Sequence, residues 1–396
     1  MRTLWLADHL LVSERGHHVG YNGFIADSAR RTGLDVQILC ARKCNVEVPG
    51  GFRMRRIFRK DLRNDPPRQL SRSRLALGIL EVIAKRRFRY DLARGIMPAD
   101  IGRDDIIFAE MLAPRNLLGW LGWLKSFPKQ HEPALVLHLG YAAERFKANA
   151  ELPRLLSELK RSRKLERARF VSDSDLLREK YQTILQHPVS QLPHVVSRRV
   201  SDCYKPPGRP PHFVCLGNAR QEKGFAEVLT AIDILNGDGQ APNAQFTLQS
   251  SDPDAISAAA LANFRSATAG PVSVITRALD EESYLQLLKN SEVLLLPYHL
   301  EKYSDRTSGV FCEAVTSGKP VITTRGSFLG LEVAREGTGW LVEDRNPDSV
   351  VHAIRRAISE LEPVAARCAE LMPRYKSMFH PDTFVSQLLE LADEKR

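Results

Sequence analysis

Apolar and polar positions follow two different periods along the first 200 residues. Leu4 to Ala7 is a short continuous apolar run, whereas apolar positions from Tyr21 to Arg31 recur every three to four residues and stop before Gly33. A second apolar run, DVQILCA, follows directly. These features predict a strand, a helix ended by a glycine and a second strand, which together form a βαβ unit. The pattern recurs in DIIFAEML, NLLGWLGWLKSF, ALVLHL and RFVSDSDLLREKYQTIL.

The alternation restarts after residue 212 and becomes more regular. Strand-like and helix-like segments follow one another from HFVCLG to DSVVHAIRRAISELE. Continuous apolar strands that are joined through helices predict an α/β fold with doubly wound parallel sheets. We therefore expect two Rossmann-like domains that face each other across a cleft, with ligands at the C-terminal ends of the strands.

A proline-rich segment separates the two periodic regions. Residues 197–212, SRRVSDCYKPPGRPPH, contain four prolines and a glycine, a composition typical of stiff connectors. We therefore expect an N-terminal domain over 1–205 and a C-terminal domain over 206–375. The remaining residues, 376–396, include an amphipathic helical pattern.

Composition places the chain among soluble globular proteins. Its 396 residues are 43% hydrophobic and 26% charged, which excludes wholesale disorder, collagen-like repeats and multi-span membrane proteins. No apolar run is long enough to predict a membrane-spanning helix. Six cysteines without a CxxC pair or metal-ligand spacing are typical of a reduced, cytoplasmic chain.

The net charge of +10 is local. Residues 1–200 carry 37 Lys and Arg against 21 Asp and Glu, whereas residues 201–396 carry 20 against 26. Residues 53–94 alone hold 14 basic and 4 acidic side chains. Three interpretations of this basic segment stay open: a solvated helical insertion, a patch that contacts an anionic membrane surface, and a nucleic-acid surface. The last is least favoured because no nucleic-acid-binding motif accompanies the charge.

The loop from Leu216 to Gly224, LGNARQEKG, follows a predicted strand and opens a helix. Backbone N–H groups and the positive end of a helix dipole favour an anion at such a loop, and Arg220 and Lys223 add full charges. This chemistry suits a phosphate group. A solvated loop with two exposed basic residues is the alternative interpretation.

A second loop, YSDRTSGVFCEA over 303–314, follows the predicted strand EVLLLPY. Asp305 lies in the loop and Glu313 lies eight positions later in the next helix, so both carboxylates can face one ligand. Ser308 and Gly309 supply N–H groups at the helix start. A nucleotide sugar offers a diphosphate and vicinal hydroxyls, which explains basic residues on one loop and acidic residues on the other.

These motifs closely resemble the retaining glycosyltransferases of family 4, part of glycosyl transferases group 1, which have the GT-B fold. Gly217 and the run Glu222-Lys223-Gly224 keep the spacing of one family motif. Asp305 and Glu313 keep the family's E-x7-E spacing with Asp in the first position, and EA, GKPV and GTGWLV follow. The resemblance covers most of 212–345 and, more faintly, the N-terminal half.

The resemblance implies roles for single residues. Lys223 matches the family lysine that binds the donor diphosphate. The family has an arginine at the position of Asn218, and Arg220, two positions later, is expected to supply that charge. Glu313 matches the ribose-binding glutamate, and Asp305 stands where a glutamate contacts the donor sugar. The other implied donor-binding positions are Gly217, Ser308, Gly309 and Val310 near the sugar and phosphate, and Arg277 and Leu279 near the base.

The N-terminal half resembles the family's acceptor side. The loop from Gly16 to Gly23 resembles a glycine loop that faces the diphosphate and acceptor, with an ordinary turn as the alternative. His138 stands where the family has a cleft histidine; a buried structural histidine is the alternative, and His17 and His18 are competing candidates. No carboxylate or cysteine accompanies His17 and His18 at ligand spacing in the sequence, so we predict no metal and no cofactor.

The resemblance implies retaining transfer of a sugar from a nucleotide-sugar donor to a saccharide or lipid-linked acceptor, in cell-envelope or exopolysaccharide synthesis. Arg220, Lys223, Asp305 and His138 are the expected catalytic residues, and the last helix is expected to cross back to the N-terminal domain. A nucleotide-sugar epimerase of the same fold and a non-catalytic nucleotide-sugar-binding protein are the alternatives. We expect a cytoplasmic protein that can lie peripherally on the membrane through 53–94.

Overall fold

The computed structural model describes residues 2–13, 18–59, 74–147, 149–237, 243–265 and 271–394. The chain forms two compact units, one of Met1–Pro193 with Pro381–Arg396 and one of His194–His380. The division lies before the expected boundary at 205 because the intervening residues pack on the second unit. The Val196 N–H donates to the Phe379 carbonyl (3.1 Å), and a short 3-10 helix, Arg198–Cys203, follows.

Seven parallel strands form the sheet of the first unit as far as the described residues show, in the order β3-β2-β1-β4-β5-β6-β7. The apolar runs predicted from the sequence are its buried centre: Leu4 aligns with Val36 on one side and with Ile106 on the other. The strands are β1 (Thr3–Ala7), β2 (Asp35–Ala41), β3 (Arg53–Phe58), β4 (Ile106–Ala109), β5 (Ala134–His138), β6 (Ala168–Ser172) and β7 (Val189–Gln191).

Within the described residues of the first unit, six helices connect these strands. Local signals set their ends: the Ser174 hydroxyl caps one helix by accepting the Leu177 N–H (3.2 Å). Another helix begins at Pro114 and buries Trp120 and Trp123, whose rings meet edge to face. The helices are α1 (His18–Arg31), α2 (Arg74–Gly95), α3 (Pro114–Ser126), α4 (Glu144–Lys147), α5 (Glu151–Arg161) and α6 (Asp175–Leu185).

The described parts of the basic segment 53–94 are elements of the sheet unit rather than an insertion. Residues 53–58 form the edge strand β3, which pairs with β2, and residues 74–95 form α2. An edge strand tolerates arginines because one of its sides stays open to solvent. No helix in the described ranges has the length and apolarity needed to cross a membrane.

The second unit contains a six-stranded parallel sheet over its described residues, in the order β10-β9-β8-β11-β12-β13. Val293 aligns with Phe213, and Leu294 aligns with Val321 on the other side. The strands are β8 (His212–Cys215), β9 (Gln245–Gln249), β10 (Val272–Ile275), β11 (Val293–Leu296), β12 (Val321–Thr324) and β13 (Gly339–Val342).

Helices again link the strands of the second unit, and the last of them is far longer than its periodic core DSVVHAIRRAISELE predicts. It continues through Pro363 and Pro373. The helices are α7 (Phe225–Gly237), α8 (Ala255–Ala262), α9 (Glu281–Asn290), α10 (Leu300–Tyr303), α11 (Gly309–Thr316), α12 (Phe328–Glu336) and α13 (Pro347–Met378).

The final helix, α14 (Pro381–Asp393), belongs to the first unit. Its Phe384 ring lies 5.4 Å from the Phe108 ring of β4 and 6.3 Å from the Tyr21 ring of α1. The carboxylate of Asp393 binds the Arg2 guanidinium through two hydrogen bonds (2.7 and 3.0 Å). The C-terminal residues therefore complete the core that the N-terminal residues begin.

Each sheet reverses its strand order at one place. The first sheet reverses between β1 and β4, and the second reverses between β8 and β11. The loops that leave two such neighbouring strands run in opposite directions and open a crevice at the carboxyl ends, where doubly wound sheets bind ligands.

Candidate functional site

The loop after β8 brings Lys223 back over Gly217. Gly217 has a φ of +95°, and a Cβ at this position would lie 2.9 Å from Lys223 Nζ. Only glycine permits both the left-handed backbone and this close approach. The same Cβ position lies 3.9 Å from Val310 Cγ2, so the two loops that the sequence indicated meet at this point.

Gly224 joins the first loop to the end of β11. Its φ is +67°, and a Cβ would lie 2.2 Å from the Pro297 carbonyl oxygen. The His299 N–H also donates to the Glu222 carbonyl (2.9 Å). The backbone of 217–224 is therefore fixed against the neighbouring strand end by glycine geometry and by a hydrogen bond.

Lys223 is half-buried within this junction. Its Nζ lies 5.7 Å from the centroid of the Tyr298 ring. Burial lowers the pKa of Lys223, whereas Glu222 and Glu313 act to raise it. Arg220 is exposed, and its guanidinium lies 3.8 Å from the Glu222 carboxylate. The junction thus holds one partly desolvated ammonium and one solvated guanidinium.

Asn218 occupies a structural position in the same loop. Its Oδ1 accepts a hydrogen bond from the Ser251 hydroxyl (3.2 Å). The preceding Gly217 N–H donates to Gln249 Oε1 (2.8 Å). Both contacts tie the loop to the end of β9, which sequence reasoning did not foresee.

The second loop leads into the start of α11. Ser308 is the N-cap residue with an extended φ of −140°, and Gly309 is the first helical residue. A Cβ on Gly309 would lie 3.1 Å from His194 Nε2, so this histidine packs directly against the helix start. Burial lowers the pKa of His194 to about 4, which keeps the ring neutral at physiological pH.

The two acidic residues of this segment differ in accessibility. Asp305 has no exposed surface, whereas Glu313 is partly exposed within the first two turns of α11. Because Asp305 is fully buried, its contact with the donor sugar stays a prediction.

Glu313 is bound by a residue that the sequence did not indicate. The Tyr284 hydroxyl of α9 donates a hydrogen bond to Glu313 Oε2. Burial raises the pKa of Glu313 to about 7, while the bond from Tyr284 and the charge of Lys223 oppose that rise. No periodicity or motif connects these two residues, which are 29 positions apart.

Arg277 and Leu279 lie between β10 and α9. Arg277 is exposed and Leu279 is half-buried. Asp280 follows them, and its side chain accepts the Ser283 N–H (2.7 Å) as the N-cap of α9, the helix that carries Tyr284. Arg277 and Leu279 therefore come shortly before α9 in the sequence, and Tyr284 of that helix binds Glu313.

His138 belongs to the first unit, at the end of β5. The ring is buried, its Nδ1 lies 3.5 Å from the Met111 N–H, and its Nε2 lies 3.9 Å from Asp173 Oδ2. Gly16 and His17 lie outside the described residues.

His18 has the carboxylate neighbours that its sequence surroundings lack. Its Nδ1 lies 2.9 Å from Asp8 Oδ2, and Glu110 completes a group of three. Burial alone would lower the pKa of His18, but the Asp8 and Glu110 carboxylates raise it to about 9. Burial raises the pKa of Glu110 well above its usual range, and Asp8 adds to that rise. No carboxylate stands at ligand spacing from His18 in the sequence, but the fold brings Asp8 and Glu110 to it from distant positions.

Solved structures resemble the whole chain. Sucrose-phosphate synthase from Thermosynechococcus elongatus is 16% identical over 99% of this chain and 98% of its own, with a TM-score of 0.65. An E. coli trehalose-6-phosphate structure bound with UDP-2-fluoro glucose is 13% identical over all of both chains, with a TM-score of 0.67. WaaG, a glycosyltransferase involved in lipopolysaccharide biosynthesis, is 14% identical over 97% of this chain and 99% of its own, with a TM-score of 0.62.

The chain has the GT-B fold. Within it, residues 210–360 match the protein family described as glycosyl transferases group 1. No curated protein matches the sequence. The matched range contains both loops of the second unit. It also contains Tyr284, Tyr298 and Gln249, which the sequence did not indicate.

Proposed function

We propose that this chain is a glycosyltransferase that moves a sugar from a nucleotide-sugar donor to a saccharide or lipid-linked acceptor with retention of configuration. One observation carries the proposal: Lys223 Nζ lies over Gly217, at the junction where the first loop meets Val310 and the start of α11. The family match over 210–360 and the sugar-transferring enzymes among the structural neighbours support it.

The donor diphosphate would lie at this junction. Lys223 and the N–H groups at the start of α11 would stabilise the charge that grows on the leaving diphosphate, a preorganised electrostatic role. Arg220 is exposed nearby and would add a second positive charge. Glu313, oriented by Tyr284, would accept hydrogen bonds from the ribose hydroxyls.

The other predicted residues take narrower roles in this proposal. Ser308, Gly309 and Val310 border the same helix start, and Arg277 and Leu279 would face the base. Asp305 would contact the transferred sugar, and His138 of the first unit would act on the acceptor side. A pathway in cell-envelope or exopolysaccharide synthesis agrees with what is described for WaaG.

The first test is a screen of nucleotide sugars by thermal stabilisation, followed by turnover with candidate acceptors. A ligand at 100 times its Kd adds about 2.7 kcal/mol to the free energy of unfolding. Lys223→Ala should reduce turnover by roughly 100- to 1,000-fold while the protein stays folded. Lys302→Ala, which removes an exposed lysine of α10, is the matched control and should keep wild-type turnover.

The alternatives predict different products. An epimerase would convert the donor without an acceptor, and a non-catalytic binding protein would bind the donor without releasing a nucleoside diphosphate. Undiminished turnover in Lys223→Ala would contradict the assigned site. Proton NMR of the product identifies the anomer, and an inverted anomeric configuration would contradict the proposed retaining mechanism.

We also propose that α2 contacts an anionic membrane surface. Ile79, Val82 and Ile83 are 54%, 45% and 39% exposed on neighbouring turns, and Arg86 and Arg89 are exposed on the following turns. Apolar side chains followed by arginines match the interface of an anionic bilayer.

Flotation with vesicles tests this contact. The wild type should float with phosphatidylglycerol vesicles and not with neutral phosphatidylcholine vesicles, and the double variant Ile79→Ser/Ile83→Ser should bind at least tenfold less. Leu331→Ser removes an equally exposed side chain of the second unit and is the control. Equal binding by the double variant and the control would refute the assignment to α2.

A further inference from the structure

Three ligand-type side chains converge at the point where the first sheet reverses its strand order. Asp8 follows β1, Glu110 follows β4, and His18 begins α1. One ligand atom from each, an imidazole nitrogen and two carboxylate oxygens, lies within 4.8 Å of the other two. The proposed sugar transfer assigns none of these residues a role.

Asp8 is fixed in a single orientation. Its Oδ1 accepts the N–H groups of Leu10 (2.9 Å) and Leu11 (3.1 Å). Its Oδ2 accepts the Asn22 side-chain amide (2.8 Å) and lies 2.9 Å from His18 Nδ1. Outer partners that orient a ligating carboxylate in this way are typical of protein metal sites.

Glu110 provides an independent indication of a ligand. The side chain is 3% exposed, and its Oε2 has no hydrogen-bond partner among the described residues. A buried carboxylate oxygen without a partner is unfavourable, because the lost hydration is not replaced. A cation held between Glu110, Asp8 and His18 would supply the missing interaction.

We propose that Asp8, His18 and Glu110 bind a divalent transition-metal ion. Asp8 Oδ2 and His18 Nδ1 lie 2.9 Å apart as a hydrogen-bonded ion pair, and a bound ion would replace the proton between them. Neighbouring ligands of a six-coordinate ion with bonds of about 2.1 Å lie roughly 3.0 Å apart, so this pair needs little movement to bind one. The imidazole favours Zn²⁺, Mn²⁺ or Co²⁺ over Mg²⁺ and Ca²⁺, which prefer oxygen ligands. Three protein ligands leave positions open for a water, hydroxyl or phosphate oxygen.

The ion would also balance charge in a buried place. A bound divalent cation would displace the protons that His18 and Glu110 hold without it, and it would then offset the charges of both carboxylates. The proposal does not depend on sugar transfer, because it concerns binding of the metal alone.

The experiment uses the tag-free full-length chain after treatment with a chelator. Zn²⁺, Mn²⁺ and Co²⁺ are titrated separately by calorimetry, and bound metal is counted by mass spectrometry. We expect one equivalent of at least one of these ions, with a higher midpoint of thermal unfolding. Glu110→Gln and His18→Gln should each weaken binding at least tenfold, at unchanged circular dichroism.

His131→Gln is the matched control. His131 lies in the same unit, is exposed and precedes β5, at the opposite edge of the sheet. This variant should bind the metal as the wild type does.

Two results would overturn the proposal: a wild type that binds none of the three ions stoichiometrically, or Glu110→Gln and His18→Gln variants that bind as the control does. If a variant does not fold, anomalous diffraction from metal-soaked wild-type crystals decides instead. A peak among the three side chains supports the site, and a map without such a peak refutes it.

Discussion

The two sheets carry opposite chemistry at corresponding places. In the second unit, the ends of β8 and β11 hold Lys223, two glycines with positive φ and a helix start. In the first unit, the ends of β1 and β4 hold Asp8 and Glu110 with His18 beside them. One edge suits an anion, and the other suits a cation. The same strand order therefore provides a place for a ligand, and short loops decide which ligand it is.

The largest expected effect comes from a backbone change at the carboxyl edge of the second sheet, called here the second edge. Gly224→Ala adds a Cβ 2.2 Å from the Pro297 carbonyl at a φ of +67°, so the backbone must move. We expect a loss of about 3 kcal/mol in the free energy of unfolding, measured by urea denaturation. Donor stabilisation should disappear with it.

Gly33→Ala in the first unit is the control for this change. Gly33 has a φ of +87°, yet nothing lies within 4 Å of an added Cβ. Only the left-handed backbone is then unfavourable, which amounts to about 1 kcal/mol. Equal losses in the two variants would mean that contact with Pro297 does not hold the second edge.

Glu313→Gln tests whether the second edge sacrifices stability for binding. The pKa of Glu313 is raised from 4.5 to about 7 in the folded protein. The folded state therefore holds more protons than the unfolded state between these pH values, and the free energy of unfolding falls as pH rises through them. The variant lacks this fall and should exceed the wild type by on the order of 2 kcal/mol at pH 8.

The difference should vanish near pH 4, where both side chains are neutral, and denaturant melts at the two pH values measure it. Glu301→Gln alters an exposed carboxylate of α10 and should stay within about 0.5 kcal/mol of the wild type at pH 8. A Glu313→Gln variant that is less stable than the wild type at pH 8 would show that burial does not destabilise the ionised Glu313 carboxylate.

The smallest expected effect concerns Tyr284. Its hydrogen bond lowers the pKa of Glu313, so Tyr284→Phe should raise that pKa further. In the proposed site the nucleotide binds the ionised Glu313 carboxylate. As the pH is lowered, nucleotide affinity should therefore be lost at a pH about one unit higher in the variant than in the wild type. Titration calorimetry from pH 5 to 9 locates this midpoint.

Tyr204→Phe alters an exposed hydroxyl of the same unit and should leave the midpoint unchanged. A midpoint that does not move in Tyr284→Phe would remove Tyr284 as the residue that orients Glu313.

Local signals in the sequence were sufficient for most of the fold. Continuous apolar runs such as ALVLH and VLLL became buried strands, and the loops that follow β8 and β11 were recognisable from glycine and charge. Strand β3, RMRRIF, was not predicted, because its arginines hide the pattern of apolar residues that indicates a strand. Only its place at the sheet edge makes those side chains tolerable.

The contacts that define the sites could not be predicted in the same way. Tyr284 meets Glu313, and Asp8 meets Glu110, only because sheet order and register bring distant strand ends together. Asp8 and Glu110 are 102 positions apart, and no spacing rule spans that distance. Chain-local patterns therefore indicate where a ligand binds, whereas side-chain pairing requires the assembled sheet.

The assignment of α14 to the first unit has a consequence for synthesis on the ribosome. Phe384 packs on Phe108 and Tyr21, yet the whole of His194–His380 is translated before it. At about 5–20 residues per second, the nascent first unit waits roughly ten to forty seconds for its last helix. During that interval the surface that Phe384 later covers faces water, and it is a place where a chaperone could bind the growing chain.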